Sequence, residues 1–252
     1  MRVVVIGGSG RTGKLIVEQL VKAGHQTVAT IRNPKHMATM VKLGAETVIL
    51  DLEESTGPDF QAQFKGADAV VFAAGSAEDD ENSDIDRTGT LKTVRAAKAV
   101  GVKRYISVSA LGATTPTPQK WLGTELMKTY YKAKKAANKY VRDSGLDWTI
   151  IEPGELTDGK LTGKVTLAQD GVDPDRISRA DVAATVLAAL DTPSSKGHTF
   201  QVIGGKIAVL DAVQKESAKP VPDLKPGKKA EAKRSPAKKA AAKKAPAKKA
   251  AK

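Results

Sequence analysis

The feature that most constrains this chain is a glycine-rich turn between an apolar run and an amphipathic one, VVVIGGSGRTGKLIVEQL, at residues 3–20. Gly7, Gly8, Gly10 and Gly13 satisfy both G-x-G-x-x-G and G-x-x-G-x-x-G. Glycine allows a tight turn and close approach of the backbone to a pyrophosphate, whose charge the N-terminus of the following helix favours. The pattern predicts a dinucleotide site that includes Arg11 and Thr12; the alternative is a tight turn without a ligand.

Residues 1–224 alternate between two kinds of segment. β-rich apolar runs occur at 3–6, 27–31, 47–50, 69–73, 105–109, 148–151 and 199–203. Helical patterns lie between them at 12–23, 35–43, 85–100, 121–143 and 179–190, with a short one at 59–64. Strands that alternate with helices form parallel sheets covered on both faces. We therefore expect an α/β fold, a doubly wound parallel sheet of the Rossmann type, with a small cap after Gly154.

The end of the second predicted strand distinguishes NAD from NADP. An acid about 20 residues after the glycines would bind the ribose 2′-hydroxyl of NAD. This chain reads VATIRNP there, with Arg32 where the acid is expected. Arginine can pair bidentately with a 2′-phosphate, and Arg11 could assist from the glycine turn. The sequence predicts NADP(H); the alternative for Arg32 is a solvated loop cation.

The segment YYKAKKAANKY contains Tyr-x-x-x-Lys twice, as Tyr130 with Lys134 and Tyr131 with Lys135. At 100° per residue, Tyr130 shares a face with the apolar residues of its helix, and Lys134 follows one turn later. We predict that this face meets the fold and that Tyr130 donates a proton while Lys134 lowers its pKa. The alternative is a packed tyrosine beside a lysine. The other stripe, predicted to face water, holds Tyr131, Lys128, Lys135, Asn138 and Arg142.

The positive charge is concentrated at the C-terminus. Residues 225–252 contain eleven lysines and one arginine against one glutamate, so they carry +11 of the chain's +13. With nothing larger than alanine to bury and recurring proline, this segment cannot offset the entropy of ordering. We predict a folded domain at 1–218 and a disordered Lys/Ala/Pro-rich tail at 219–252. Residues 225–252 would bind DNA without sequence preference; the alternative is a solubilising extension.

Composition excludes several classes of function. The absence of cysteine excludes disulfides, thiolate catalysis and cysteine-ligated metals. The three histidines are scattered, so no metal site is predicted. The acidic segment SAEDDENSDID is expected to be a mobile, solvated loop; its acids are Glu78, Asp79, Asp80, Glu81, Asp84 and Asp86. No apolar run approaches the roughly 20 residues that span a bilayer. We expect a cytoplasmic protein, associated with the nucleoid if the tail binds DNA.

Several motifs together resemble those of atypical short-chain dehydrogenases/reductases. They are GGSGRTG, IRNP, AAG at residues 73–75, GVKRYISVSALGA, YYKAK, SGLDWTIIEPGELTD and SRADVAATVLAAL. Within that group the chain is similar to bacterial NAD(P)H-binding proteins like biliverdin reductase B, also called flavin reductase. The resemblance covers residues 1 to about 205. The tail is similar to the C-terminal tails of linker histones and to basic extensions of bacterial nucleoid proteins.

The resemblance implies a role for particular residues. Gly7, Gly10 and Gly13 would bind the pyrophosphate, Arg32 the 2′-phosphate, and Ser109 would occupy the place of the catalytic serine. Lys134 would bind the nicotinamide ribose. The remaining cofactor contacts would come from Asp51, Leu52, Ala73, Ala74, Gly75, Pro153, Gly154 and Leu156. The chain departs from the pattern at Glu152, where relatives usually have arginine, so a cationic contact is expected to be lost.

Two classes of function fit these residues. The first is an NADPH-dependent oxidoreductase that acts on a small or planar quinone, flavin or carbonyl compound and is tethered to DNA by its tail. Some relatives reduce flavins by direct hydride transfer, so the Tyr130 and Lys134 dyad is not required by the resemblance. The second is a non-catalytic NADP(H) sensor similar to regulators of nitrogen metabolite repression. Neither the substrate nor the oligomeric state follows from the sequence.

Overall fold

A computed structural model describes residues 1–75, 85–115 and 121–222 of the protein. Eleven strands are described: β1 Arg2–Ile6, β2 Gln26–Ile31, β3 Glu46–Ile49, β4 Ala69–Phe72, β5 Arg104–Val108, β6 Asp147–Pro153, β7 Glu155–Thr157, β8 Lys164–Ala168, β9 Arg176–Ser178, β10 His198–Gly204 and β11 Ile207–Ala208. The α-helices are α1 Arg11–Lys22, α2 Met37–Lys42, α3 Gly57–Phe64, α4 Thr90–Ala99, α5 Glu125–Arg142, α6 Arg179–Asp191 and α7 Val209–Ser217. A π-helical turn, Ile85–Gly89, leads directly into α4.

The main sheet is doubly wound, as predicted. Its nine strands lie in the order β11-β8-β10-β6-β5-β4-β1-β2-β3. β1 pairs in parallel with β2 on one side and β4 on the other, so the chain reverses its direction of winding at β1. In open α/β sheets this switch point leaves a crevice at the carboxyl ends of the strands. The topology therefore places the ends of β1, β2, β4 and β5 around one site.

Alternation along the strands divides the core into two apolar layers. In β1, Val3 and Val5 face one layer, which also contains Ile16 and Leu20 of α1 and apolar residues of α6 and α7. Val4 and Ile6 face the other, which packs against α3, α4 and α5. Each face of a parallel sheet buries a continuous run because helices cover both faces. The two layers hold the strand ends at the crevice in fixed register.

The structure adds elements that the sequence analysis did not predict. β8 pairs antiparallel with both β10 and β11, so the sheet is mostly rather than wholly parallel. β7 and β9 form a separate two-stranded parallel sheet beyond Gly154, in the region expected to be a small cap. These strands have two to five residues each and α7 has nine, which is too short for a clear periodic pattern in the sequence.

Some predictions fall outside the described residues. They are the character of the acidic loop at 78–84 and the disorder of the basic tail at 225–252. The domain boundary at residue 218 stays a prediction. Among the described helices, none is both long enough and apolar enough to cross a membrane.

Candidate cofactor crevice and active site

The glycine-rich turn has the geometry that a dinucleotide site needs. Gly7 has a positive φ of 76°, and a Cβ there would lie 2.8 Å from the Ala74 Cα atom. A Cβ on Gly13 would lie 2.1 Å from the carbonyl oxygen of Gly7, so the first turn of α1 packs directly on the glycine turn. α1 starts at Arg11 and has no side-chain cap. Its first backbone amides are therefore available to an anion.

A crevice of about 470 Å³ lies beside this turn. Most residues predicted to bind cofactor or to act in catalysis line it: Gly7, Gly10, Arg11, Thr12, Arg32, Asp51, Leu52, Ala73, Ala74, Gly75, Ser109, Tyr130, Lys134 and Leu156. Gly8 and Gly13 are buried in the packing of the turn, where a Cβ on Gly8 would lie 2.9 Å from the Cβ of Ala29. Pro153 and Gly154 line an adjoining pocket instead. The crevice thus gathers residues from the ends of five strands, β1 to β5, and from α5.

One end of the crevice carries Arg32. This exposed side chain directly follows β2, and within the described ranges no carboxylate lies at ion-pair distance from its guanidinium group. Nearby, Asp51 Oδ1 accepts hydrogen bonds from the backbone amides of Glu53, at 2.8 Å, and Glu54, at 3.5 Å. Lys92 Nζ donates to the carbonyl oxygens of Leu52 and Glu53, both at 2.8 Å. The loop after β3 is therefore held in shape beside an uncompensated arginine.

Sequence reasoning missed Arg179, the first residue of α6. Its side chain is buried but lines the crevice, and its Nη1 donates to Asp158 Oδ1 at 2.7 Å. Arg11 Nη1 lies 4.0 Å from the other oxygen of Asp158. Asp158 therefore holds one arginine firmly and a second loosely beside the glycine turn. The motif SRADVAATVLAAL contains Arg179, but the sequence analysis used it only for the resemblance and assigned this arginine no role.

The other end of the crevice brings Ser109, Tyr130 and Lys134 together. Ser109 is buried, and its Oγ has no hydrogen-bond partner among the described residues. Buried hydroxyls rarely stay unpaired, so this oxygen is well suited to a ligand. Lys134 Nζ lies 5.6 Å from the centre of the Tyr130 ring and 2.9 Å from Asp86 Oδ1. Lys134 therefore has a carboxylate partner that the sequence analysis did not give it.

The prediction that Asp86 belongs to a solvated loop is wrong. Its side chain is only 1% exposed, and it lies in the π-helical turn that precedes α4. Burial of an aspartate is tolerated when a cation compensates its charge, and Lys134 supplies that cation. The acidic run concealed this role because its members look alike in sequence.

A pocket of about 540 Å³ with a mixed aromatic, apolar and charged lining adjoins the crevice. Leu111, Trp121, Met127 and Tyr131 form much of its wall. The Trp121 and Tyr131 rings are stacked at 26°, with their centres 6.2 Å apart. The pocket shares a boundary with the crevice, because Ser109, Tyr130 and Leu156 line both.

Comparison with known proteins agrees with this geometry. A family profile described as NAD(P)H-binding matches residues 7–193. The chain belongs to this NAD(P)H-binding family. Its members include Rossmann-type oxidoreductases and epimerases, similar to short-chain dehydrogenases/reductases. The NAD(P)H cofactor predicted from the glycine turn is thereby confirmed at the level of the family.

Three relatives illustrate the range of the family. The uncharacterized sugar epimerase YhfK of Bacillus subtilis is 36% identical over 219 residues, which cover 85% of this chain and 100% of that protein. A solved structure from Bacillus halodurans, assigned to NAD-dependent epimerases/dehydratases, is 34% identical with a TM-score of 0.78 over 85% of this chain and 99% of its own. The oxidoreductase ylbE of Lactococcus lactis is 28% identical with a TM-score of 0.75, over 85% and 96%.

Within this NAD(P)H-binding fold, the predicted orientation of α5 needs one correction. Tyr130 reaches both the crevice and the pocket as expected, but Tyr131 and Asn138 do not face water. The Tyr131 hydroxyl donates to the Leu111 carbonyl oxygen at 3.2 Å, and Asn138 is fully buried. The loop after β5 covers this flank of α5, so the buried face is wider than one stripe of the helix. Lys128 and Lys135 are exposed, as predicted.

Glu152 also has a different place from the one expected of an arginine at this position. Its side chain is fully buried and is absent from the linings of both the crevice and the pocket. Asn138 Nδ2 donates to its Oε1 at 2.9 Å. Burial raises the pKa of Glu152 to about 7, although hydrogen bonds from Thr114 and Gly112 and the charge of Arg142 act against the rise. The carboxyl group therefore fastens the loop after β5 to α5.

No group of three or more histidine, aspartate or glutamate side chains that could hold a metal ion occurs in the part of the chain that the structure describes.

Proposed function

We propose that this protein is an NADPH-dependent reductase of a small or planar acceptor, of the quinone, flavin or carbonyl class. The observation that carries the proposal is the shared boundary between the crevice and the aromatic pocket at Ser109, Tyr130 and Leu156. An acceptor in the pocket would meet the cofactor at this boundary. The stacked Trp121 and Tyr131 rings favour a flat acceptor, because aromatic faces pack well on other rings.

The side chains at the boundary suit a reduction. NADPH, when bound, supplies the hydride. Ser109 Oγ lacks a partner among the described residues, so it is available to hydrogen-bond an acceptor oxygen. Tyr130 can donate a proton to the oxygen of a carbonyl acceptor whose carbon receives the hydride, which gives an alcohol, whereas a flavin or quinone can be reduced without a protein acid.

The preference for NADPH over NADH rests on Arg32. Its exposed guanidinium group follows β2, where an NAD-selective site would place an acid. The buried Arg179 adds another cation to the crevice wall, fixed by Asp158. Arg32 is thus the residue expected to read the 2′-phosphate, whereas Arg179 would act on parts that both cofactors share.

The test is NADPH oxidation with a panel of quinones, flavins, azo dyes and aldehydes, repeated with NADH. The expected result is turnover with at least one flat acceptor and faster turnover with NADPH. Tight NADPH binding without oxidation by any acceptor would instead favour the alternative, a non-catalytic NADP(H) sensor. Failure to bind either cofactor would refute both.

We also propose that residues 225–252 tether the reductase to nucleic acid. The supporting observation is the +11 charge of that segment beside a nearly neutral domain of +2. Lysine-rich segments bind duplex phosphates without reading sequence.

Fluorescence anisotropy of labelled duplexes tests the tether, with full-length protein and protein truncated after Leu224. We expect log affinity to fall with log salt with a slope of roughly −5 to −10, and truncation to abolish binding. NADPH affinity should not change, because the glycine turn and Arg32 lie in the remaining domain. Unchanged DNA affinity after truncation would refute the tether. A gain in NADPH affinity would show that the tail covers the crevice instead.

A further inference from the structure

Asp86 and Lys134 form a buried ion pair at the wall of the crevice. The Lys134 Nζ to Asp86 Oδ1 distance is 2.9 Å, and the side chains are 8% and 1% exposed. Asp86 comes from the π-helical turn before α4, and Lys134 from the middle of α5. Removing two charges from water is costly, so such a pair persists only with favourable geometry. A hydrophobic pair would join the two helices at least as well. Stability alone therefore does not account for these charges.

The pair lies where a bound dinucleotide could reach Lys134. Lys134 lines the crevice, as does Ile85, the neighbour of Asp86. Gly75, which follows β4, packs on the pair: a Cβ there would lie 3.3 Å from Asp86 Oδ1 and 3.6 Å from Lys134 Nζ. The backbone of the crevice thus fits closely over the two charges. A side chain at Gly75 would press on the carboxylate.

The geometry points to a positioning role for Asp86. An ammonium group has three N–H donors, and the ion pair with the carboxylate, at 2.9 Å, holds the group on the Asp86 side of the crevice wall. We propose that Asp86 positions the Lys134 ammonium so that its other donors bind the hydroxyl groups of the nicotinamide ribose. The inference rests on the proposed NADPH site. It adds to that site a residue, Asp86, that touches neither the cofactor nor the acceptor but determines how Lys134 contacts the cofactor.

The electrostatics of Lys134 agree with this role. Burial by itself would lower the pKa of Lys134, but the charges of Asp86 and Tyr130 and the hydrogen bond to Asp86 outweigh burial and raise it. In the described residues these are the two groups that raise it. Without the Asp86 carboxylate, burial would dominate, and the lysine would lose its proton at a lower pH. An ammonium that becomes a neutral amine binds hydroxyl oxygens more weakly.

The variant Asp86→Asn tests the role, and Asp143→Asn is its matched control. Asp143 forms an ion pair with Lys139 of α5, but both side chains are exposed and neither lines the crevice. Two probes are titrated: NADPH, and adenosine 2′,5′-bisphosphate, which has the adenine half but no nicotinamide ribose. The ratio of the two affinities is the readout, so titration of the shared 2′-phosphate cancels.

We expect Asp86→Asn to weaken NADPH by about tenfold at pH near 8, the size of a lost charge-assisted hydrogen bond, and to leave the bisphosphate unchanged. From pH of about 7.5 to about 9, where the 5′-phosphate of the bisphosphate is already fully ionised, the affinity ratio of this variant should fall further, whereas that of the wild type and of Asp143→Asn should stay flat. An unchanged, flat ratio in Asp86→Asn would overturn the inference. An equal loss of affinity for both probes would also overturn it, because that result would indicate that Asp86 only supports the structure of the domain.

A double variant keeps the inference testable if Asp86→Asn does not fold. Asp86→Asn with Lys134→Gln removes both buried charges and leaves none uncompensated. This variant should bind the bisphosphate as the wild type does, bind NADPH about tenfold more weakly and show no pH dependence of the ratio. Wild-type NADPH affinity in the double variant would overturn the inference. If the wild type itself bound neither probe, the proposed NADPH site would be refuted as well.

Discussion

Replacement of Arg32 by glutamate should reverse the choice between NADPH and NADH. Arg32 is exposed and has no carboxylate partner within the described ranges, so its replacement breaks no such internal contact. A change in cofactor affinity in this variant therefore reports the contact between residue 32 and the cofactor. A charge-assisted hydrogen bond is worth about 1.5–3 kcal/mol, or about 10- to 150-fold in affinity. Because solvent and salt screen an exposed pair, the lower figure applies, and the wild type should favour NADPH by about tenfold.

Titration calorimetry of both cofactors measures the effect. Glutamate at residue 32 should repel the 2′-phosphate and accept a hydrogen bond from the 2′-hydroxyl of NADH, which inverts the preference. Arg95→Glu is the control, since Arg95 is an exposed cation on α4 that does not line the crevice. Equal affinities of the wild type for the two cofactors would refute the reasoning, as would an NADPH preference that survives in Arg32→Glu.

Three further predictions follow from the contacts around the site. Glu152 has a pKa raised by burial to about 7, so it is protonated in the folded state and ionised in the unfolded state between pH of about 4.5 and 7. The free energy of unfolding of the wild type, relative to Glu152→Gln, should therefore fall by about 3 kcal/mol as pH rises through this window and then level off. Urea unfolding of both proteins at several pH values measures this, and a difference in unfolding free energy that stays constant with pH would contradict it. Tyr130→Phe should lower kcat by about a hundredfold with a carbonyl acceptor, because the proton donor is lost. Tyr131→Phe should keep its activity and lose only about 1 kcal/mol of stability, because its hydrogen bond to Leu111 is lost. Steady-state kinetics and thermal melts in which Tyr131→Phe loses the activity and Tyr130→Phe keeps it would contradict the assignment. Gly13→Ala places a methyl group 2.1 Å from the Gly7 carbonyl oxygen and should weaken the binding of NADPH and of NADH alike, by about tenfold or more. In the same calorimetry the control Gly57→Ala should bind both cofactors normally, because nothing lies within 4 Å of the added Cβ. Normal cofactor binding by Gly13→Ala would show that the glycine turn is not part of the cofactor site.

The features that the sequence predicted well are those that local chemistry determines. The glycine turn needs glycine because Gly7 has a positive φ and Gly13 touches the Gly7 carbonyl oxygen, and both constraints act within a few residues. Arg32 follows the end of β2, which an apolar run already marks. The alternation of strands and helices can be predicted from little more than the period at which apolar residues recur along the chain. The doubly wound sheet and the outline of the crevice follow from these alone.

Contacts between distant segments were harder to predict. The pairing of Asp86 with Lys134 depends on a π-helical turn and on the crossing of α4 and α5, neither of which has a residue pattern of its own. Tyr131 was assigned to water because a helical wheel shows one buried face and cannot show a loop that covers a second. Glu152 was expected only to mark the loss of a cationic contact, and only the packing shows its partner, Asn138.

A structure of the protein with bound NADP⁺ tests the central claim most directly. The account predicts the pyrophosphate on the amides that follow Gly10, the 2′-phosphate at hydrogen-bond distance from the Arg32 guanidinium group, and the nicotinamide ribose on Lys134 with Asp86 still paired to it. The nicotinamide ring should lie at the boundary that Ser109 and Tyr130 share with the aromatic pocket. A cofactor whose nicotinamide lies away from that boundary, or whose 2′-phosphate makes no contact with Arg32, would contradict the account.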